Sequence, residues 1–308
     1  MFEALFEKSG ISLERLRTLC LIDKHGGITR AAAVFGKENV TTKQSQFSRQ
    51  VKDLENFFGV DLLDRDVQPH RLTTEGKVLA SIAHDALGDL EDFTLTCENR
   101  PVRLTIGAGE SLIQWMLMPN LERIRAQLQN TSIGFLNRTT AQTIEGLLNG
   151  ELDLGVVRKT ALTKQLEHFH LGSFGYRLFV PKRMRKKFGE SMSISELDGV
   201  RLALLEGSGE FRSSVDQLAA GAKVKLNIEL ECSSSTQVAY AIGSLNYAGI
   251  LPEFAGKVLG QEKVSAHRLE GFDVQRSLSV AWNPRRSESH PLIKEAANAL
   301  KKLVRSGK

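Results

Sequence analysis

No run of about 18 apolar residues occurs in the 308-residue chain, so it offers no candidate transmembrane helix. The N-terminal stretch MFEALFEKSGISLERLR carries scattered acids and no basic segment ahead of an apolar core, which argues against a secretory signal and for a cytoplasmic location. Cysteine is scarce. Cys20, Cys97 and Cys232 are odd in number and far apart, and with the seven histidines they form neither a CxxC pair nor a metal-ligand cluster. Buried free thiols are the expectation for them. GxSxG and a phosphate-binding P-loop are missing, and so is any paired His/Cys/Asp constellation. GAGES at 107–111 lacks the further glycine of a dinucleotide-binding turn. Internal repeats and low-complexity segments are absent as well. Nothing calls for a cofactor or a metal, and an enzyme is disfavoured.

The charge that is present is unevenly spread. The whole chain is +5, yet residues 1–99 hold twelve Lys/Arg against sixteen Asp/Glu. Inside that acidic part lies a basic window, from Lys24 through Arg30, Lys37, Lys43 and Arg49 to Lys52, interrupted by one acid, Glu38. A local patch of this kind suits a polyanion.

Periodicity divides the chain into three parts. Residues 1–72 read as short helices followed by a small hairpin. Ser12 caps a helix with Leu13, Leu16, Leu19, Cys20 and Ile22 on one face, ended by Gly26-Gly27. Thr29 caps TRAAAVF, which Gly36 stops. KENVTTK reads as a polar connection, and QSQFSRQVKDLE as a third helix ending at Gly59. Two short pieces, Val60–Leu63 and Arg71–Leu72, flank a tip containing Pro69 and form a wing. Residues 73–99 form one long helix, apolar at threes and fours from Val78 to about Cys97. Such a stripe outside a compact core predicts a second copy as its partner. Residues 100–308 then alternate strands (RLTIGA, SIGFLN, DLGVV, YRLFVP, VRLALLE, LNIELEC, YAGILP, RSLSVAW) with helices, which predicts parallel β–α units. The fold class is α/β behind an N-terminal α-helical, winged helix-turn-helix domain.

That order of parts resembles the LysR-type transcriptional regulators, and particular residues carry the likeness. ITRAAAVF, QSQFSRQVKDLENFFGVDLLDR and RLTTEGKVL resemble the family's DNA-binding motifs, and GELDLGVV and AGILPEF resemble segments of its effector domain. The match is most specific in residues 29–76. The resemblance implies a two-lobed, periplasmic-binding-protein-like effector domain, with lobe I at about 100–170 and 266–308 and lobe II at about 171–265. The chain would cross between them near Leu166–Val180 and Lys263–Leu269. It also implies double-stranded operator DNA as partner, a homodimer through the linker helix, a homotetramer made of two such dimers, and a small-molecule effector. Two departures stand out. GKENVTTKQ is longer than the usual family connection, so it either bulges at the DNA or starts the third helix early. AIGSLNYAGILP also has a different glycine spacing from the family's.

A recognition helix needs an apolar back, here Phe47, Val51, Leu54 and Phe58, and short or bidentate polar groups in front. Gln46 and Arg49 suit base edges, Ser48 and Lys52 suit phosphates, and Lys43 and Gln44 depend on where the helix starts. Arg30 opens the second helix, where a phosphate is favoured. Arg65, His70 and Arg71 on the wing reach toward the DNA backbone or minor groove, or Arg65 pairs with Asp61 or Asp66. In the α/β domain, residues following strands face the cleft: Gly109, Glu110, Ser111 and Leu112, then Arg138, Thr139 and Thr140, with Ser233, Ser234, Ser235 and Thr236 from the second lobe. The hydroxyl run suits an anion or is a plain helix cap, and Glu110 selects a cation or pairs with Arg138. An α/β enzyme or a solute-binding module with an added interaction domain are the competing classes.

Overall fold

A computed structural model describes residues 3–36, 39–184, 189–207 and 210–305. After a single turn, α1 (Glu3–Phe6), come α2 (Leu13–Lys24), α3 (Ile28–Phe35) and α4 (Val40–Phe58). Ser12 caps α2 by accepting from the Arg15 N–H at 3.2 Å. The long connection is absorbed by an early helix start. Asn39 accepts from the Thr42 N–H at 3.2 Å, so α4 begins at Val40 rather than Gln44. Lys37 and Glu38 of that connection lie outside the described residues.

The wing is β1 (Leu63–Asp64) paired antiparallel with β2 (Arg71–Leu72). It leans on the start of α3, where the Ile28 N–H donates to the His70 carbonyl at 3.3 Å. Gly27 sits at φ +143°, and a Cβ there would lie 2.8 Å from that same carbonyl oxygen, so the approach requires glycine. Leu19, Ile22, Ile28, Ala31, Phe47, Val51, Leu54 and Leu72 form the core of this domain.

α5 (Thr74–Cys97) is capped by Thr73, which accepts from the Gly76 N–H at 3.0 Å. Ala80 and Ala83 are buried, whereas Val78, Ile82, Leu90 and Phe93 on the outer side are exposed, Phe93 at 68%. No described helix is long and apolar enough to cross a membrane.

The remainder is β3 (Val102–Ala108), α6 (Glu110–Leu112), α7 (Leu121–Arg125), β4 (Thr131–Asn137), α8 (Thr140–Leu148), β5 (Leu154–Arg158), β6 (Glu167–Phe174), β7 (Tyr176–Pro181), β8 (Ser191–Met192), β9 (Arg201–Leu205), α9 (Glu210–Gly221), β10 (Asn227–Cys232), α10 (Ser235–Ser244), β11 (Gly249–Pro252), α11 (Gly256–Leu259), β12 (Val264–Leu269), β13 (Arg276–Trp282), α12 (Pro284–Ser289) and α13 (Leu292–Arg305). One lobe is a five-stranded sheet in the order β4-β3-β5-β13-β6, the other a four-stranded sheet β11-β7-β12-β8 beside the pair β10-β9. A bridge from Leu202 to Ala248 brings that pair alongside β11. The first lobe closes on Leu104, Ile106, Val156, Val280, Ala296 and Leu300. The second closes mainly on Leu178, Val180, Leu202, Val215 and Ile250.

Several expectations are corrected. Parallel pairing holds for β3 with β4 and β5, for β9 with β10 and for β8 with β12, but β13 runs antiparallel to β5 and β6, and β7 antiparallel to β11 and β12. Among these strands, β6 to β7 carries the chain out of the first lobe and β12 to β13 brings it back. The first crossing falls at Gly175, because β6 stays in the first sheet through Phe174, so lobe I extends past 170. The return falls between Leu269 and Arg276, because β12 is bonded to β7 and β8, so residues 266–269 belong to lobe II. The helical stretch expected after β3 is broken into α6, a π-helical turn at Ile113–Leu117, a 3-10 turn at Met118–Asn120 and α7.

α5 is joined to the first lobe by buried ionic groups. Arg286 of α12 donates to Asp153 Oδ1 at 2.7 Å and to Asp85 Oδ1 of α5 at 3.3 Å. Asp153 Oδ2 in turn accepts from the Thr105 N–H at 2.7 Å. His290 Nε2 lies 2.6 Å from Asp92 Oδ2, and that carboxylate holds the imidazole above its ordinary pKa against the opposing effect of burial.

Candidate functional site

The recognition face is built on α4. Phe47, Val51 and Leu54 are buried at its back. Arg15 of α2 fixes the helix from one side, its Nε and Nη2 donating to Asp53 Oδ2 at 3.0 and 2.8 Å. Gln50 belongs to the same framework, accepting from Thr18 Oγ1 at 2.6 Å and donating to Glu14 Oε1 at 3.0 Å. Ser45, Gln46, Ser48, Arg49 and Lys52 are left exposed, Gln46 and Arg49 on the same flank as Gln50 and Asp53. Gln46 accepts from Lys43 Nζ at 3.0 Å, and Gln44 donates to Thr29 Oγ1 of α3 at 3.4 Å. Thr29, exposed and bonded to Gln44, joins this front. Arg49 lines a small polar hollow of about 280 Å³ with Ser12, Glu14, Arg15, Gln46, Gln50 and Asp53. Arg30 is exposed in the first turn of α3.

The wing corrects one assignment. Arg65 pairs mainly with Glu55, a partner not foreseen, and reaches Asp61 only at 4.0 Å. Its Nη1 and Nη2 donate to the two Glu55 oxygens at 3.0 and 2.8 Å. Glu55 is 3% exposed and also accepts from the N–H groups of Leu62 and Leu63 at 3.0 and 3.2 Å. Burial alone would raise this carboxyl's pKa, but the guanidinium and the two amides outweigh it and hold it low. Arg65 thus ties the wing to α4. Lys52, 3.5 Å from Glu55, is drawn toward the same carboxylate. His70 turns Nδ1 to the Val67 carbonyl at 3.1 Å, and Arg71 is exposed on β2.

In the α/β domain β3 and β4 end together at Ala108 and Asn137, and β5 runs two residues further, from Val156 to Arg158. Gly109 caps α6, and Glu110 at its start reaches across to the second lobe, where Thr236 Oγ1 donates to Glu110 Oε1 at 2.7 Å. Ser234 Oγ contacts that hydroxyl at 2.7 Å and caps α10 by accepting from the Gln237 N–H at 3.3 Å. Ser233 is bonded to Gln237 Oε1. Ser111 and Ser235 are half-buried, and Leu112 packs on the first lobe's core.

The second group is not brought in. Arg138 pairs with Glu151 at 3.2 Å rather than with Glu110. Thr139 is the capping residue of α8 in a box with Gln142, and Thr140 lines an open groove of about 1040 Å³ between α5 and α8. Three residues where the lobes meet, Arg276, Glu210 and Tyr176, were not foreseen. Arg158 ends β5 and lines the same groove between α5 and α8 as Thr140, and Arg276 opens β13 with its guanidinium on Glu210 of α9. Tyr176, just past the crossing, feels both arginines. Arg158 follows a strand as Glu110 does, so the rule that found Glu110 covered it too. All three thiols are free, and one of them is buried as expected. Cys232 is buried, Cys20 is half-buried with its pKa pushed up to about 11 by burial and nearby Asp23, and Cys97 is exposed.

Comparisons with known proteins agree with this division. The family description "LysR substrate binding domain" matches residues 100–305, and "Bacterial regulatory helix-turn-helix protein, lysR family" matches residues 13–77. YybE of Bacillus subtilis strain 168, an uncharacterized HTH-type transcriptional regulator, is 26% identical over 275 residues, covering 88% of this chain and 90% of its own. The HTH-type transcriptional regulator MetR of Salmonella typhimurium is 32% identical over 170 residues, 54% of this chain and 52% of its own. Among solved structures, a full-length OxyR variant from Pseudomonas aeruginosa superposes with a TM-score of 0.65 at 17% identity, covering 95% of each chain. Full-length LysG of Corynebacterium glutamicum gives 0.62 at 19% identity, covering 96% of this chain and 99% of its own. At such identities these two likenesses speak for the fold alone, while the two family matches span the helix-turn-helix and the whole two-lobed part. The chain belongs to the LysR family of transcriptional regulators, DNA-binding proteins with an effector-binding domain and not enzymes.

Proposed function

We propose that this regulator acts in the cytoplasm as a homodimer, paired into a homotetramer, that reads a double-stranded operator through α4 and answers to a small-molecule effector held between its lobes. The observation that carries the reading is the two-sidedness of α4. Phe47, Val51 and Leu54 bury its back, Asp53 and Gln50 pin one flank to α2, and Gln46, Ser48 and Arg49 stand exposed, Gln46 and Arg49 beside that pinned flank. Gln46 and Arg49 read base edges, the first once it releases Lys43, and Ser48, Lys52 and Arg30 hold phosphates. Lys43 and Gln44 flank these contacts, and His70 and Arg71 carry the wing to the backbone. Arg65 positions the wing through Glu55 and contributes to DNA indirectly. The exposed stripe Val78, Ile82, Leu90 and Phe93 supports dimerisation along α5. For the effector, the support is the two-lobed architecture with Glu110, Ser234 and Thr236 meeting across it. Full-length LysG of Corynebacterium glutamicum, similar in fold, is solved with a bound effector, Arg.

The test is a footprint on DNA fragments enriched from a random pool by the full chain. Two protected half-sites, centred about 10 base pairs or a multiple apart, are expected. Deletion of residues 1–72 should abolish protection. A single isolated half-site would contradict the dimeric reading.

A further inference from the structure

Two ionic contacts pin α5 to the first lobe. Arg286 of α12 donates to Asp85 at 3.3 Å, and His290, at the corner between α12 and α13, sets Nε2 2.6 Å from Asp92 Oδ2. Asp85 and Asp92 are seven residues apart, two helical turns and about 10 Å along the same side of α5. A rod pinned at two points keeps its direction, and a rod pinned at one can pivot. α5 joins the helix-turn-helix to the α/β domain, so its direction at this joint sets where the DNA-binding domain stands.

The two pins differ chemically. The Arg286 guanidinium stays charged at any working pH, and it rests on Asp153 as well as Asp85. An imidazole changes its charge near neutrality. The backbone of His290 is fixed, its N–H donating to the Arg286 carbonyl at 2.8 Å and its carbonyl accepting from the Ile293 N–H at 3.1 Å. The side chains of His290 and Asp92 are 10% and 23% exposed. Protons still reach them, because both line an open groove of about 540 Å³ with Asp89, Phe93, Ser289 and Leu292.

Few charges face the imidazole. Asp92 and Asp89 come from α5, Asp153 from the residue before β5, and Arg286 from α12, while Gln129, Asn130 and Thr131 on the β4 side of the groove do not titrate. The bond to Asp92 raises the His290 pKa, burial opposes it, Asp153 adds to the rise and Arg286 subtracts from it. His84, beside Asp85 on α5, is pushed the other way by burial and by Arg286 and stays neutral above pH 6.5.

We propose that His290 is a proton-operated latch on this joint: charged, it fixes the second half of α5 to the first lobe, and neutral, it lets α5 pivot about the Arg286–Asp85 contact. Because the folded value lies above the ordinary 6.5, the stabilisation is complete below about pH 6.5 and is lost as pH rises through the raised value. A neutral imidazole still donates one bond to Asp92, so the latch weakens by the difference between a charge-assisted and a neutral bond, about fivefold in an equilibrium constant. A dimer whose α5 helices are fixed presents its two recognition helices at a set spacing, and a pivoting one must be ordered on binding, so operator affinity falls as pH rises. That last step rests on the reading that a dimer grips two half-sites.

Hydrogen exchange of the full-length chain, read by mass spectrometry over residues 88–97 and corrected for the intrinsic pH dependence of exchange, tests the latch. Protection there reports the contacts that hold this half of α5 down. In wild type it should fall about fivefold between pH 6 and pH 9. His290→Gln should be low and flat over that range, Asp92→Asn likewise, and His290→Lys, charged throughout, high and flat. A flat wild-type profile, which needs no variant to interpret, would overturn the latch, and so would a wild-type slope retained in His290→Gln. Operator affinity by gel shift at fixed salt should fall from pH 6 to pH 9 more in wild type than in His290→Lys, since His70 on the wing is common to both. Equal falls would overturn the coupling to DNA and leave the latch standing. Absence of specific DNA binding at either pH, with the exchange profile as expected, would sink the operator reading and not the latch.

Discussion

Glu55 is a buried carboxylate that accepts four hydrogen bonds, from the two ends of the Arg65 fork and from the amides of Leu62 and Leu63. Its folded pKa lies below the ordinary glutamate value. The stability it supplies is therefore complete above about pH 4.3 and lost as pH falls through the lowered folded value. Melting curves of wild type and Glu55→Gln should lie apart at neutral pH, with wild type the more stable, and converge as the solution is acidified. A constant gap down to pH 2 would contradict this. The sequence offered Asp61 and Asp66 as partners for Arg65 because they are near in the chain. It could not offer Glu55, which becomes a partner only when the wing folds back onto α4. The same fold-back explains the glycine in RLTTEGKVL, because a Cβ on Gly76 would lie 2.3 Å from the Leu62 carbonyl oxygen.

Elements were legible where periodicity runs long. α4 shows its buried face in the spacing of Phe47, Val51 and Leu54, and α5 its length in the apolar recurrence that begins at Val78. The start of α4 was not legible, because Asn39 as a cap and a longer loop are equally good uses of KENVTTK until α3 is in place. β6 was missed, since EHFHLGSF alternates without strong apolar residues and is held by pairing to β13. Two predictions belong here. Phe93→Glu on the exposed stripe of α5 should shift the sedimentation of a micromolar sample from the dimer, or the tetramer, toward the monomer, and an unchanged profile would place the interface elsewhere. At the joint between α5 and the first lobe, Arg286→Met leaves Asp153 and Asp85 without their cation. The expected loss is about 3–5 kcal/mol, read from denaturant unfolding, because removing one member strands the other charges in a dry site. A loss under about 1 kcal/mol, the value for an exposed pair, would show that water reaches this joint.

For the whole molecule, the order helix-turn-helix, wing, long helix and α/β domain is written in the pattern of the chain. The two-lobed arrangement is not, because nothing in the periodicity of YRLFVP or RSLSVAW says that the chain leaves one sheet and later returns to it. The same distinction separates the sites. The DNA-facing residues lie within one helix and its neighbours and could be read locally. The residues that meet between the lobes, Glu110 with Thr236 and Arg276 with Glu210, are far apart in sequence and come together only through strand register and lobe closure. Arg138, chosen for following a strand, went instead to the nearby Glu151. The central claim is that the exposed front of α4 reads sequence. It is tested most directly by the affinity of Arg49→Ala for the enriched operator and for single-base variants of it, measured by gel shift at fixed salt. The account predicts a loss of about 1–3 kcal/mol on the operator and weakened discrimination at one base position. Wild-type affinity with wild-type base preference would contradict it.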